Sequence, residues 1–152
     1  MAIRADINSG GGGSSSGSGL LQVAAVKLTS GNITTGSATF VDLTGATVTL
    51  TTGAHRCIVY AIIVGNSSNG SDIIYDLLID GVSQSNGNLG FVFTDQQSSL
   101  ESVNFSFSYL TDVLSAASHT IKIQWRTTGG TATTRASNSP LWLQVIETGL
   151  TT

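Results

Sequence analysis

From Leu20 onward, apolar and polar positions recur with a period of two, the signature of strands with one inward and one outward face. The cleanest alternation is Ser102 to Tyr109. Val103, Phe105, Phe107 and Tyr109 share one face; Ser102, Asn104, Ser106 and Ser108 share the other. Ser118 to Thr127 repeats the pattern, with Ile121, Ile123 and Trp125 inward and Thr120, Lys122, Gln124 and Arg126 outward. Gly129-Gly130 then turns the chain. The last strand is predicted from Leu141 to Glu147, with Leu141, Leu143 and Val145 on one face. Pro140 stands at its entry, where a missing N–H does least harm.

The first half of the chain is less regular. Leu20 to Leu28 is an apolar opening. Ala38 to Leu43 and Ala46 to Thr52 read as two short β-rich runs separated by Thr44-Gly45. Ala54 to Val64 ends in CIVYAIIV, apolar at both parities. A strand apolar on both faces is buried on both faces. In a domain this small, one of those faces is expected to meet another subunit, with Cys57, Val59, Ala61 and Ile63 as partner-facing residues. Asp72 to Asp80 fits a strand better than a helix. A helix stacks Asp72, Asp76 and Asp80 as like charges at i, i+4. A strand puts Ile73, Tyr75, Leu77 and Ile79 on one face and leaves the three Asp on a solvated face with Ile74 and Leu78. Asp80-Gly81 then signals a hairpin turn.

Short strands with turn signals about every ten residues predict an all-β, antiparallel β-sandwich, with a jelly roll as the expected arrangement. Ahead of it, Ser9 to Gly19 reads SGGGGSSSGSG, a tract that cannot bury apolar area. We therefore divide the chain into a Gly/Ser-rich N-terminal arm, residues 1–19, and a sandwich domain, residues 20–152. The arm is expected to extend onto a partner, with Ile3 and Arg4 among its contacts.

Composition narrows the functional classes. Charged residues make up 10% of the 152 residues, and the net charge is −3; an ordinary soluble domain carries about 25% charged residues. Six Lys and Arg in total do not form a nucleic-acid footprint, so no nucleic-acid partner is expected. The longest apolar run, Cys57 to Val64, is too short to span a membrane as a helix. No secretory leader pattern is visible, and the protein is expected to be made in a cytosol with its single cysteine, Cys57, reduced. Sequons at Asn32, Asn66, Asn69 and Asn104 are attributed to Ser/Thr-rich composition.

Candidate chemistry is sparse. His55 and Cys57 share a strand face, but two ligands do not make a metal site. Asp72, Asp76 and Asp80 are weighed as a calcium column and read instead as a solvated face. A Ser–His–Asp set is conceivable around His119 with Asp112, although no nucleophile elbow frames a serine. His119 stands at a strand entrance, where a structural hydrogen bond is expected. The Gly-rich tract lacks the Lys-Ser/Thr ending of a phosphate loop. Asp95 and Glu101 are loop acids that a glycan hydrolase could use. Trp125, Trp142, Tyr60 and Tyr75 are the aromatic candidates for a sugar platform. Trp125 follows the core alternation. Trp142 is out of phase with Leu141 and Leu143 and is the better contact residue.

Four segments together resemble one family: Leu77-Leu78-Ile79-Asp80-Gly81-Val82; Ser106-Phe107-Ser108-Tyr109-Leu110; Ser118-His119-Thr120-Ile121-Lys122-Ile123-Gln124-Trp125-Arg126; and Leu143-Gln144-Val145-Ile146-Glu147. They look like a module common in virion proteins of tailed bacteriophages, found in small capsid-decoration proteins and in terminal domains of tail-fibre-like proteins. The likeness runs from about Leu20 to Glu147. It implies a jelly roll similar to tumour-necrosis-factor and complement globular-head domains, assembled as a homotrimer, with no catalytic residue and no cofactor. The implied role is a capsid-decoration protein on the virion surface, made in the host bacterial cytoplasm, that bridges capsomers and binds the major capsid protein or other virion proteins. A tail-fibre or receptor-binding tip module that binds host glycan is the alternative.

Overall fold

The computed structural model describes residues 3–4, 22–68, 71–85, 90–94 and 102–152. Most of the predicted arm lies outside the described residues, as do Asp95, Glu101 and the sequon at Asn69. The described residues form strands β1 (Ile3–Arg4), β2 (Val23–Leu28), β3 (Ile33–Thr35), β4 (Val41–Thr51), β5 (Cys57–Ser67), β6 (Ile73–Ile79), β7 (Val82–Ser83), β8 (Val92–Thr94), β9 (Val103–Leu110), β10 (Ser118–Thr127), β11 (Ala132–Thr134) and β12 (Leu141–Glu147).

Two antiparallel sheets pack face to face, so the predicted sandwich is the observed architecture. One sheet runs β1-β2-β12-β5-β11-β3, with β9 on the far edge of β5. The other runs β4-β10-β6-β7, with β8 also on β6. The pairing is nested. β2 joins β12, β4 joins β10, β5 joins β9, and β6 joins the short β7 and β8. Each outer pair encloses the next in sequence, so the core closes only when distant strands meet.

The alternation explains the packing. Phe105, Ile121, Ile123, Trp125, Leu141, Leu143 and Val145 are all buried between the sheets. Tyr75 stacks on Trp125, with ring centroids 6.1 Å apart, and tilts against Phe105 at 5.3 Å. Phe91 meets Phe107 and the edge of Tyr109 at 5.0 and 5.3 Å, closing the side of the sandwich between β9 and β6. Full burial of side chains of this size contributes about 1.5–3 kcal/mol each.

Two details differ from the pattern-based reading. The two runs around Thr44-Gly45 are one eleven-residue strand, β4. Its register against β10 jumps between Lys122↔Thr47 and Gln124↔Asp42. Gly45 absorbs that bulge with φ +80°, and a Cβ there would stand 2.7 Å from Leu28 Cδ1. At the other end of β6, Asp80 (φ 51°) and Gly81 (φ 81°) make the predicted two-residue turn into β7. Both central residues of such a turn need positive φ.

The second difference concerns which strand is covered twice. Every residue of β6 is buried. Its outward side is roofed by the chain itself: the backbone at Gly90 lies against Ile74, beside Phe40. The expected solvated face is therefore corrected at Asp76, which is only 4% exposed, whereas Asp80 is exposed and Asp72 half-buried. Among the described residues, β5 is covered on one face alone. Cys57, Val59, Ala61 and Ile63 point into the core at 0–1% exposure. The partner-facing assignment of these four is corrected: they lie between the sheets, and the other parity carries the surface.

Candidate functional site

The outward face of the seven-stranded sheet is the first candidate. Register fixes its rows. Lys27, Trp142, Ile62 and Ser106 lie side by side across β2, β12, β5 and β9. Ala25, Gln144, Tyr60 and Ser108 form the next row, and Val23, Ile146, Ile58 and Leu110 a third. Ile3 of β1 is in register with Ala25. Tyr60, Ile62 and Leu110 are 41%, 45% and 47% exposed. Lys27 is the one charged residue in these three rows, and its Nζ lies 5.4 Å from the Trp142 ring centroid.

Trp142 thus stands on the surface, as its phase predicted, and Tyr60 joins it there. Tyr75 and Trp125 do not, being core. The side chains of Ile3 and Arg4 lie outside the description, although their backbone pairs with β2.

The outward face of the five-stranded sheet differs in chemistry. Asp42 accepts hydrogen bonds from Lys122 Nζ at 2.9 Å and Gln124 Nε2 at 2.7 Å. These bonds, that from Gln124 foremost, hold its carboxyl below the ordinary aspartate range. Arg126 lies over Phe40 at 5.3 Å. Thr47, Thr49 and Thr51 complete an exposed polar row on β4.

Both histidines, with Glu147, Cys57 and Asp80, lie at one end of the sandwich. Glu147 ends β12 at the inward parity and is 1% exposed. Its Oε1 accepts from the Gly53 N–H at 2.5 Å and faces His55 Nδ1 at 2.8 Å. Cys57 is buried beside it; burial first, and the Glu147 charge second, push its thiol pKa up to about 12. A thiol so raised stays protonated and is a poor nucleophile or ligand. Among the described residues, no three His, Cys, Asp or Glu side chains converge to hold a metal ion.

His119 is placed differently from the set built around Asp112. Its Nδ1 faces Asp80 Oδ2 at 2.6 Å, and Asp112 instead lies 3.9 Å from Arg56. The β6–β10 register explains the change, since Ile79 opposite Ile121 brings Asp80 beside His119. Asp80 Oδ1 also accepts the Thr120 N–H at 2.8 Å. Ser115 completes an Asp–His–Ser sequence in space, with Oγ 3.4 Å from His119 Nε2. The shorter contact of Nε2, at 2.9 Å, is to the Ser115 carbonyl oxygen. A general base needs a free lone pair aimed at the hydroxyl. Here that nitrogen is directed at a main-chain acceptor, so the arrangement fits a structural clamp better than an activated serine.

Glu147 was the residue that pattern reading passed over. Its signal was available, because it falls in phase with Leu141, Leu143 and Val145. An acid at an inward position of a strand implies a buried partner. Neither a comparison with protein-family models nor a search of curated proteins returned a match for this chain.

Proposed function

We propose that this protein is a structural component of a virion, a homotrimeric capsid-decoration protein that bridges capsomers by contacting the major capsid protein. The sequence resemblance motivates the virion assignment. The nested strand pairing supports the jelly-roll reading, because a jelly roll wraps paired strands around a sandwich in this order.

The observation that carries the assembly reading is the outward face of the seven-stranded sheet. It presents Tyr60, Ile62 and Leu110, with Ile58, Trp142 and Ile146 half-buried among them. Covering the three exposed side chains recovers on the order of 1 kcal/mol each, because about half of each is already buried. Association costs roughly 4–15 kcal/mol in lost freedom. The half-buried neighbours must therefore join the contact. Low charge favours contact between copies, since copies converging around this face bring no dense like charge together.

Sedimentation of the full chain tests the reading. The expected result is a trimer that Tyr60→Asp converts to a folded monomer with unchanged circular dichroism. A monomeric wild-type protein, or a trimer indifferent to the substitution, overturns it. Mass spectrometry and image reconstruction of virions test the location. Density on the tail alone overturns the capsid role in favour of a tail module.

A further inference from the structure

We infer that His119 is a charge-dependent clamp: as an imidazolium it ties the loop between β9 and β10 to the β6–β7 turn, and the order of that loop follows pH. The inference rests on hydrogen-bond chemistry and is independent of the virion reading.

The oxygen nearest each ring nitrogen of His119 only accepts, and the Ser115 hydroxyl stands farther off, 3.4 Å from Nε2. Nδ1 lies 2.6 Å from the Asp80 carboxylate, and Nε2 lies 2.9 Å from the Ser115 carbonyl. Only the doubly protonated ring donates to both. Either neutral tautomer turns a lone pair onto an oxygen at hydrogen-bonding distance. One bond is then lost and a repulsion takes its place. Since the ring is buried, water does not readily fill the gap.

The loop's other restraints begin at Thr111, whose N–H donates to Cys57 O at 2.9 Å and whose carbonyl accepts from Arg56 Nη1 at 3.0 Å. Ser115 O also accepts from Thr52 Oγ1 at 2.6 Å and from Ala117 N at 2.8 Å. Leu114 N donates to His55 O, and Ala117 O receives Thr52 N, both at 3.0 Å. Residues 112–113 and 115–118 are otherwise exposed. Of these restraints, the His119 bonds are the ones that join the loop to Asp80, beyond β10 on the five-stranded sheet.

The charged groups around the ring are few. Asp80 faces it from the β6–β7 turn, and Leu50 of β4 lies opposite it in register. At the same end, Arg56 pairs with Asp112 and His55 with Glu147, while Lys122 pairs with Asp42 on the outward face. Burial works against the imidazolium. The bonds to Asp80 and Ser115 and the Asp80 charge together outweigh it, and the ring's pKa lies above the ordinary histidine value. The Asp80 carboxyl is held below its ordinary value, first by the His119 bond and then by the Thr120 N–H.

The signs follow. A raised histidine pKa contributes stability that is complete below the unfolded value, about 6.5, and is lost as pH rises through the folded value. A lowered aspartate pKa contributes stability that is complete above the unfolded value, about 3.9, and is lost as pH falls through the folded value. The clamp is therefore tightest in mildly acidic solution and loosens on the alkaline side. β9 enters this loop at Leu110, so loosening also frees one border of the exposed apolar face.

The test pairs two measurements on the full chain. Nitrogen-15 spectra of the imidazole read the protonation of each ring nitrogen. Amide hydrogen exchange reads the loop, taken as the ratio of His119→Gln to wild type so that intrinsic pH effects cancel. The expected result is a His119 midpoint above that of a free histidine, with both nitrogens protonated below it. The exchange ratio at residues 114 and 117 should be at least about tenfold in mild acid and fall towards one as pH rises through that midpoint. Asp80→Asn should move the midpoint down and carry the loop transition with it, and it serves as the readout if His119→Gln does not fold. Ser115→Ala should change nothing, because the carbonyl remains. A flat ratio across the range, or a midpoint at or below that of free histidine, overturns the inference. A shift in Ser115→Ala overturns the assignment to the carbonyl.

Discussion

β5 and β6 follow one another in the chain, are both apolar at both parities, and end in opposite situations. β6 is roofed by Phe40 and the backbone at Gly90, so Ile74 is 1% exposed. β5 has no such roof among the described residues, and Ile62 is 45% exposed on its outward face. The contrast separates two meanings of one hydrophobic pattern. A strand apolar on both faces asks for cover on both; the described residues supply that cover for β6 and leave the outward face of β5 open. The inward parity of β5 shows how easily the pattern misleads, since Cys57, Val59, Ala61 and Ile63 belong to the core rather than to a partner.

The comparison breaks most visibly under a charge. Ile74→Asp places a carboxylate beneath the roof with no partner and should cost several kcal/mol, enough to unfold a marginal domain. Ile62→Asp places the same group on the bare face and should shift the chain's own stability by no more than about 0.5 kcal/mol. Urea unfolding of the two variants at low protein concentration measures both. Equal losses would show that β5 is roofed as β6 is.

A smaller effect tests the inner side of the same sheet. Phe105 stands opposite Ile63 in register and tilts against Tyr75. Phe105→Ala should cost about 3–5 kcal/mol through lost burial and the cavity left behind. A loss below about 1 kcal/mol in urea unfolding would mean that β9 turns its other face inward.

These positions also show what was legible in the sequence. The strict alternation of Ser102 to Tyr109 and Ser118 to Thr127 places Phe105, Ile121, Ile123 and Trp125 correctly, because a half-buried strand allows one parity inward. The Asp80-Gly81 turn was legible because few residues adopt positive φ at both positions. Where both parities are apolar, the pattern carries no phase. The face of β5 and the burial of β6 depend on which loop lies over which sheet, a long-range outcome. The partner of His119 was hidden for a similar reason. Asp80 is 39 residues away in sequence and becomes adjacent only through the β6–β10 register. Trp142 was legible as a surface residue because it breaks phase with Leu141 and Leu143. Glu147, in phase with them, was equally legible as buried.

The smallest effect concerns the one acid on the covered face of β6. Asp76 is buried at 4% exposure, and its Oδ1 has no hydrogen-bond partner. Its neighbour in register on β10 is Gln124, whose Nε2 donates to Asp42 on the far side. The amide that could serve Asp76 is thus turned towards the exposed carboxylate. A buried polar atom without a partner costs roughly 1–3 kcal/mol, more when charged. Asp76→Asn keeps the shape, removes the charge and supplies two donors, so it should raise stability by about 1 kcal/mol in urea unfolding at neutral pH. The control is Asp42→Asn on the open face, where ion pairs contribute about 0–1 kcal/mol and the change should be a small loss. If Asp76→Asn instead destabilises by more than Asp42→Asn, the Asp76 carboxylate is satisfied under the roof. The outward side of β6 would then be a built polar site rather than covered apolar surface.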